Sequence, residues 1–318
     1  MELIRGLHNV RPSHAGCVAT IGNFDGVHLG HQAVLGQLAE KATALNLPSL
    51  VITFEPYPQE FFRPDQAPPR LTRLREKLLA LRRYAVDRVL CLRFDAALAS
   101  MEAERFIDEI LVGRLGVRYL VVGDDFRFGS RRRGDFAMLQ AAGRRHGFQV
   151  VGMLPFDIDG ARVSSTRIRE ALRVGGLALA GKLLGRSYRM AGRIVHGDKR
   201  GRTLGFPTAN LYLHRQVSPL QGVYAVAMFG LDQEPVPGVA NIGTRPTVGG
   251  QRSLLEVHLL DFSGDIYRRQ VQVEFLTKLR DELRFESLAA LTAQIAQDVQ
   301  QAREYFGQQQ TLVMATSA

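Results

Sequence analysis

Apolar and polar positions follow one pattern in the first half of the chain and another in the second. In the first half, amphipathic stretches of helical spacing alternate with short apolar runs such as Cys17 to Ile21, Ser49 to Pro56 and Tyr119 to Gly123. Near-continuous apolar strands separated by helices are typical of a parallel sheet that helices cover on both faces. We therefore predict a Rossmann-like α/β domain, whose ligands bind beyond the carboxyl ends of the strands.

The periodicity changes near Gly185. Short alternating segments separated by Gly/Pro turns follow it, and they predict an all-β domain. The amphipathic stretch from Ser287 to Phe306 is predicted to be a helix, and the residues after Gly307 a disordered tail. The predicted divisions are residues 1–184, 185–307 and 308–318.

Composition narrows the class of protein. Hydrophobic residues make up 46% of the 318 positions and charged residues 23%, as in ordinary globular proteins. The two cysteines, Cys17 and Cys91, lie in apolar runs, which argues against a disulfide framework and favours a reducing compartment. We see neither a signal peptide nor an apolar run of about 18 residues, so we expect a cytoplasmic protein without a membrane span. The net charge of +10 favours anionic ligands without choosing among them.

The segment from Thr20 to His31, TIGNFDGVHLGH, joins an apolar strand through a Gly/Asn/Asp turn to the start of a helix. Exposed N–H groups at such a helix start bind anions, and His28 and His31 add two imidazole donors. Gly30 leaves room for a nucleotide, and Asn23 lies in the same turn. This donor set suits nucleotidyl transfer, in which an ionised phosphate attacks the α-phosphate of a nucleoside triphosphate. The alternative is a helix start whose histidines only cap or pack.

Two later segments are expected at the same edge of the sheet. Asp124 and Asp125 follow an apolar run and could hold a ribose hydroxyl or Mg²⁺, although a solvated turn is the alternative. Farther along, Arg169 lies in the first turn of a predicted helix, where a bound anion would offset its unfavourable charge. Three hydroxyls begin that helix, and simple capping would also explain them. They belong to Ser164, Ser165 and Thr166.

The densest motif is GRIVHGDKRGRTLGFPTAN, from Gly192 to Asn210. Its glycines and basic side chains suit a phosphate cradle, with Thr208 and Asn210 as hard oxygen ligands for Mg²⁺. The alternative is a hairpin with a glycine-rich tip, and Pro207 argues against a central strand. The candidate nucleotide contacts are Gly197, Lys199, Gly205, Thr208 and Asn210.

Together GNFDGVHLGH, VSSTRIR and GFPTAN resemble the bacterial bifunctional riboflavin kinase/FAD synthetase family, over nearly the whole chain. The resemblance implies an α/β Rossmann-like nucleotidyltransferase domain followed by a small antiparallel β-barrel with a C-terminal helix. It also implies that Asp125 lies near the nucleotide or flavin, while the role of Tyr57, where many members have His, stays open. The ATP-binding residues that it implies in the first domain are His28, His31, Ser164, Ser165, Thr166 and Arg169.

For the second domain the resemblance implies that Thr208 and Asn210 hold Mg-ATP and that Glu256 is the base. A carboxylate that accepts the proton of the ribityl hydroxyl would assist phosphoryl transfer. In the alternating stretch LLEVHLL, Glu256 and His258 share one strand face, and we expect that face to point into the barrel. The alternative is an outward-facing, solvated carboxylate.

The predicted function is therefore flavin cofactor synthesis. The second domain would phosphorylate riboflavin with Mg-ATP to give FMN, and the first would adenylylate FMN with a second ATP to give FAD and pyrophosphate. One competing interpretation is an adenylyl- or cytidylyltransferase with another acceptor. The other is a nucleic-acid-binding module, suggested by the net charge and by the run from Arg131 to Arg133. No recognisable motif supports that module, so no nucleic-acid partner is expected, and the oligomeric state stays open.

Overall fold

The computed structural model describes residues 1–196, 205–213, 215, 217–247 and 250–316. The chain divides into two compact units. The first contains Met1–Pro68 and Thr72–Ser165, and the second contains Pro69–Leu71 and the chain from Thr166 onward. This division precedes the predicted boundary at residue 184 because the helices after Ser165 belong to the second unit.

Parallel strands form the sheet of the first unit. They are β1 (Glu2–Arg5), β2 (Cys17–Ile21), β3 (Ser49–Glu55), β4 (Arg88–Arg93), β5 (Val117–Gly123) and β6 (Gln149–Met153). Their order in the sheet is β1-β4-β3-β2-β5-β6. A short hairpin of β7 (Asp157–Ile158) and β8 (Ala161–Arg162) follows.

Helices connect these strands. They are α1 (Leu29–Leu45), α2 (Pro58–Phe62), α3 (Leu74–Arg82), α4 (Ala96–Ser100), α5 (Ala103–Arg105, continued by a π-helix over Phe106–Arg114) and α6 (Phe136–His146). Single 3-10 turns occupy Leu7–Asn9, Pro12–His14, Pro64–Gln66 and Ser130–Arg132.

Both faces of the sheet are buried, as the continuous apolar runs predict. Along β2, Cys17, Ala19 and Ile21 enter one hydrophobic core, and Val18 enters the other. Each core is closed by helices, with Leu35 of α1 on the Val18 side. The prediction of a Rossmann-like domain is confirmed, and the carboxyl ends of β2, β3 and β5 lead into the loops that carry the candidate site.

The second unit contains α7 (Ser165–Arg173), α8 (Leu177–Leu184), a closed barrel and a final helix. The first residue of α7, Ser165, belongs to the first unit. The barrel strands are β9 (Arg189–Val195), β10 (Thr208–Tyr212), β11 (Gly222–Phe229), β12 (Val236–Thr247), β13 (Gly250–Leu259) and β14 (Gln270–Arg280). They pair antiparallel in the order β10-β13-β12-β11-β14-β9. The final helix, α9 (Leu288–Thr316), continues past Gly307, where the sequence predicted a tail. The predicted barrel with a C-terminal helix is confirmed.

Apolar side chains fill the barrel interior. Leu255 and Val257 of β13 are fully buried, whereas Glu256 and His258, which alternate with them, are half-buried on the outer face. The expectation that Glu256 points inward is therefore wrong, because the interior accepts the apolar half of the alternating pattern. Helix α9 packs on the same outer surface, where Ala302 contacts an apolar cluster.

Three side chains anchor the segment Pro69–Leu71 within the second unit. Arg169 Nε donates to the Pro69 carbonyl at 2.7 Å, Tyr188 Oη donates to Leu71 O at 3.0 Å, and Arg215 Nη1 donates to Arg70 O at 3.1 Å. Across the described chain, no helix combines the length and the apolar character needed to cross a membrane.

Candidate active sites

The turn between β2 and α1 has an unusual backbone. Phe24, Gly26 and Val27 have φ values of 48°, 83° and 44°, in the left-handed region. This conformation is strained for a β-branched residue such as Val27, so the surrounding structure must hold it. The turn delivers His28 to the N-cap position of α1, where N–H groups of the first turn point outward.

The two histidines of this turn lie against each other. The rings of His28 and His31 stack with centroids 3.6 Å apart, and Phe24 lies 4.9 Å from the His31 ring. The backbone N–H of His31 donates to Nδ1 of His28 at 3.3 Å, which leaves Nε2 as the protonated nitrogen of a neutral His28. Burial lowers the pKa of His31 well below 6.5, and repulsion from a protonated His28 and from Lys77 lowers it further. His31 is thus a neutral hydrogen-bond donor beside His28.

Ser165, the first residue of α7, and Val163 just before the helix lie beside this turn. Ser165 Oγ donates to the Asp25 carbonyl at 2.9 Å. A Cβ at Gly30 would lie 3.3 Å from the His28 ring and 3.6 Å from the Val163 carbonyl oxygen, so glycine keeps this space open. The structure therefore brings together four of the sequence-predicted residues, which are His28, Gly30, His31 and Ser165.

The other predicted residues of this region have different surroundings. Ser164 is half-buried next to Ser165, whereas Thr166 and Arg169 belong to the second unit. Asp125 accepts two hydrogen bonds from Arg162, at 2.7 and 3.1 Å, and these bonds hold the pKa of that carboxyl below its usual value. Arg162 was not predicted from the sequence. The only signal for it was its position just before the Ser-Ser-Thr segment.

A pocket of about 990 Å³ opens beside the turn, at Gly22 and Asn23. It is bounded by the loops after β3, β4 and β5. Six phenylalanines line it, and Asp125 and three arginines of the following loop, Arg127, Arg131 and Arg132, contribute polar groups. The aromatic residues are Phe54, Phe62, Phe94, Phe106, Phe126 and Phe128. Sequence reasoning missed this pocket because its walls come from separate segments, and the exposure of Phe62 becomes visible only in the fold.

In the barrel, Glu256 lies in a polar row across three strands. It is the register partner of Asn210 on β10 and of Asn241 on β12, so the three side chains share the outer face. One register step away, Thr208 is opposite His258, whose Nδ1 donates to the Pro207 carbonyl at 2.9 Å. Asn241 was missed because the sequence does not show which strands become neighbours.

Side-chain oxygens of Thr208, Asn210 and Glu256 are hard ligands of the kind that would fit a Mg²⁺ ion. Asn210 Nδ2 donates to the Thr208 carbonyl at 3.3 Å, which directs the amide oxygen away from that contact. The described residues contain no cluster of three His, Cys, Asp or Glu side chains that could hold a metal alone. An ion bound through Thr208, Asn210 or Glu256 would therefore need phosphate oxygens as further ligands. Gly205 lies just before this row, while Gly197 and Lys199 lie outside the described residues.

Family models match both halves of the chain. A family model described as FAD synthetase matches residues 10–167, and one described as riboflavin kinase matches residues 184–306. A crystal structure described as a macrolide-efflux protein from Streptococcus pneumoniae matches with a TM-score of 0.80 and 31% identity, and the match covers 95% of this chain and 99% of that one.

Curated relatives carry one common name. The bifunctional riboflavin kinase/FMN adenylyltransferase of Escherichia coli (strain K12) is 56% identical over 308 residues, which cover 96% of this chain and 98% of the relative. The protein of that name from Pseudomonas fluorescens is 55% identical over 304 residues, with coverages of 95% and 97%. The fold, the two family matches and these near full-length relatives show that the chain belongs to the bifunctional riboflavin kinase/FMN adenylyltransferase family.

Proposed function

We propose that this bifunctional enzyme adenylylates FMN at the turn bearing His28 and His31, and phosphorylates riboflavin on the outer barrel face bearing Asn210 and Glu256. The observation that carries the proposal is the separation of two polar arrangements into two compact units. One consists of two stacked imidazoles at a helix start, and the other is a carboxylate between two amides. Each arrangement suits one of the two reactions.

Adenylyl transfer needs charge stabilisation more than it needs a base. The FMN phosphate is already ionised, and its oxygen forms a bond to the α-phosphorus of ATP while the bond to the β-phosphate oxygen breaks and pyrophosphate leaves. The N–H groups at the start of α1 and the imidazoles of His28 and His31 would donate to the phosphate oxygens as charge builds up. The low pKa of His31 supports this role, because the side chain stays a neutral donor at physiological pH. Ser164 and Ser165 of the same unit belong to our proposed ATP site, and the resemblance also assigns ATP binding to Thr166 and Arg169.

The aromatic pocket is our proposed site for the FMN ring. Its volume of about 990 Å³ lies at the upper end of the range for small-molecule sites. Planar aromatic ligands stack favourably on side chains such as Phe54 and Phe128. Asn23 belongs to both the turn and the pocket lining, so a flavin bound there would have its phosphate close to the histidine pair. The ion pair with Arg162 reduces the repulsion that Asp125 would exert on that phosphate.

Kinase chemistry needs a base. The 5′-hydroxyl of riboflavin gives its proton to Glu256, its oxygen bonds to the γ-phosphorus of ATP, and ADP leaves. Thr208 and Asn210 would hold Mg²⁺, which when bound neutralises phosphate charge. Gly197, Lys199 and Gly205 are our proposed nucleotide contacts in the preceding loop. The partly exposed position of Glu256 supports this assignment, because riboflavin must reach the carboxylate from solvent.

We also propose a cytoplasmic location and a functional boundary near residue 184. Both cysteines are buried free thiols, as expected in a reducing compartment, and the riboflavin kinase match begins at residue 184. Riboflavin, FMN and ATP are the proposed small-molecule partners.

Product analysis of a Glu256→Gln variant tests the two-site assignment. Supplied with riboflavin, ATP and Mg²⁺, this variant should lose about 10² to 10⁴ in the rate of FMN formation. Supplied with FMN, it should form FAD at the wild-type rate. Glu234→Gln, which changes an exposed carboxylate of the same unit, is the matched control. Equal loss of both reactions in a folded Glu256 variant would overturn the assignment.

A further inference from the structure

A buried carboxylate lies in the middle of the strained turn. Asp25 is 2% exposed and is flanked by Phe24 and Gly26, which both have positive φ. A buried carboxylate is costly unless hydrogen bonds satisfy it. Donors to its side chain include the distant residues Tyr57 and Thr72, so the shape of the turn depends on other elements of the first unit.

Thr72 makes three hydrogen bonds with the turn. Its N–H and its hydroxyl donate to Asp25 Oδ1 at 2.9 and 3.2 Å, and the same hydroxyl accepts from the Gly26 N–H at 2.9 Å. Tyr57 Oη donates to the same carboxylate oxygen at 3.2 Å. A hydroxyl can donate to Asp25 and accept from Gly26 through the same oxygen, so the side chain of Thr72 connects two consecutive turn residues.

The turn is held at its other contacts as well. Thr53 Oγ1 donates to the Asn23 carbonyl at 3.4 Å, and the fully buried Lys77 donates to Thr53 Oγ1 at 3.1 Å. On the opposite side, Ser165 Oγ donates to the Asp25 carbonyl. Thr72 differs from these residues because it binds both the side chain of one turn residue and the backbone N–H of the next.

We propose that Thr72 is a positioning residue for adenylyl transfer. Its hydroxyl holds Asp25 and Gly26 in the conformation that places His28 and the first N–H groups of α1 against the triphosphate. This inference rests on the proposed adenylyltransferase site, and it assigns a role to a residue that lies 47 positions away from Asp25 in the chain. Thr72 is 6% exposed and acts through the turn, without contact with the substrate.

The experiment compares Thr72→Val with Thr72→Ser in the full-length enzyme. Valine keeps the shape of threonine and removes the hydroxyl, whereas serine keeps the hydroxyl. Misplacement of reacting groups by about 1 Å costs on the order of 10² in rate. We expect Thr72→Val to lower kcat/KM for ATP in FMN adenylylation by roughly 10- to 100-fold and to leave riboflavin phosphorylation unchanged. Thr72→Ser should restore adenylylation to about wild-type efficiency.

A second variant protects the test against misfolding. If Thr72→Val does not fold, Tyr57→Phe carries the test, because it removes one donor to Asp25 and keeps the buried ring. A specific loss of kcat/KM for ATP at unchanged melting temperature supports the positioning of the turn. Adenylylation at the wild-type level in the folded variant overturns it.

Further outcomes distinguish a failure of the Thr72 proposal from a failure of the proposed adenylylation site. Equal losses in Thr72→Val and Thr72→Ser overturn the role of the hydroxyl. His31→Leu is measured in parallel. Loss of FAD formation in His31→Leu alone refutes only the role of Thr72, whereas full activity of both His31→Leu and Thr72→Val refutes the proposed site and the role of Thr72 together.

Discussion

Replacement of His31 by leucine removes one donor from the proposed adenylylation site with little change in packing. The centroid of the His31 ring lies 3.6 Å from that of His28 and 4.9 Å from that of Phe24. An apolar side chain of similar size can occupy the same space. Such volume-conserving changes usually cost less than about 1.5 kcal/mol of stability. His31→Ala leaves a cavity instead and should melt at a lower temperature.

The expected rate loss follows from the donor that is lost. Removal of one hydrogen-bond donor to a developing phosphate charge costs about 10² to 10³ in kcat, or roughly 2.7 to 4 kcal/mol. Because the leucine and alanine variants lack the same donor, they should lose similar factors in kcat although their stabilities differ. The riboflavin kinase reaction of the same chain should be unchanged, which makes it the internal control.

The pH dependence gives an independent measurement. Burial, then His28 and Lys77, lower the pKa of His31, so in the wild type this ring stays neutral to a lower pH than an ordinary histidine does. Lys77→Met removes one of these causes and should move the pKa of His31 upward, shifting the acid limb of FAD formation to higher pH. As the pH falls through 6.5, His31 of the unfolded chain binds a proton while His31 of the folded chain stays neutral. The free energy of unfolding is therefore unaffected by His31 above pH 6.5 and decreases below it.

Chromatography of FAD formed from FMN and ATP, with a pH series and thermal melting, measures these effects. If folded His31→Leu retained more than about one tenth of the wild-type kcat, the expected loss of 10² to 10³ would be refuted. An unchanged acid limb in a folded Lys77→Met variant would show that Lys77 does not hold His31 neutral.

Three further predictions concern other parts of the chain. Asp298→Ala removes a buried partner of Arg280, which bonds it at 2.7 and 2.8 Å, and should destabilise the barrel by about 3 kcal/mol, seen as a lower calorimetric transition. An unchanged transition would contradict this role. Arg162→Ala leaves the Asp125 carboxylate unpaired and should raise KM for FMN by up to about fivefold, because the pair is solvent-exposed. An unchanged KM would place the FMN phosphate elsewhere. Chelation of divalent cations should stop both reactions, and product formation that persists in excess chelator would refute the proposed Mg²⁺.

Features contained in contiguous residues were predicted well. The strand, turn and helix start around His28 and His31 follow from local glycine and polar residues, and the alternating second half predicted an all-β domain. Contacts between residues far apart in the chain were not predicted. The alternation in β13 separated Glu256 from its apolar neighbours, but only barrel closure showed that the apolar face lies inside.

The sequence by itself determined the periodicities, and hence an α/β unit followed by a β unit, together with the anion-binding turn and the glycine-rich motif. These depend on interactions between near neighbours in the chain. The tertiary structure alone decided which strands became neighbours, and so placed Asn241 beside Glu256. The packing of the first unit placed Thr72 beside Asp25. The aromatic pocket likewise exists only once the loops of three strands meet. The physical reason is that these contacts join residues far apart in the chain, whose meeting depends on the packing of the whole unit.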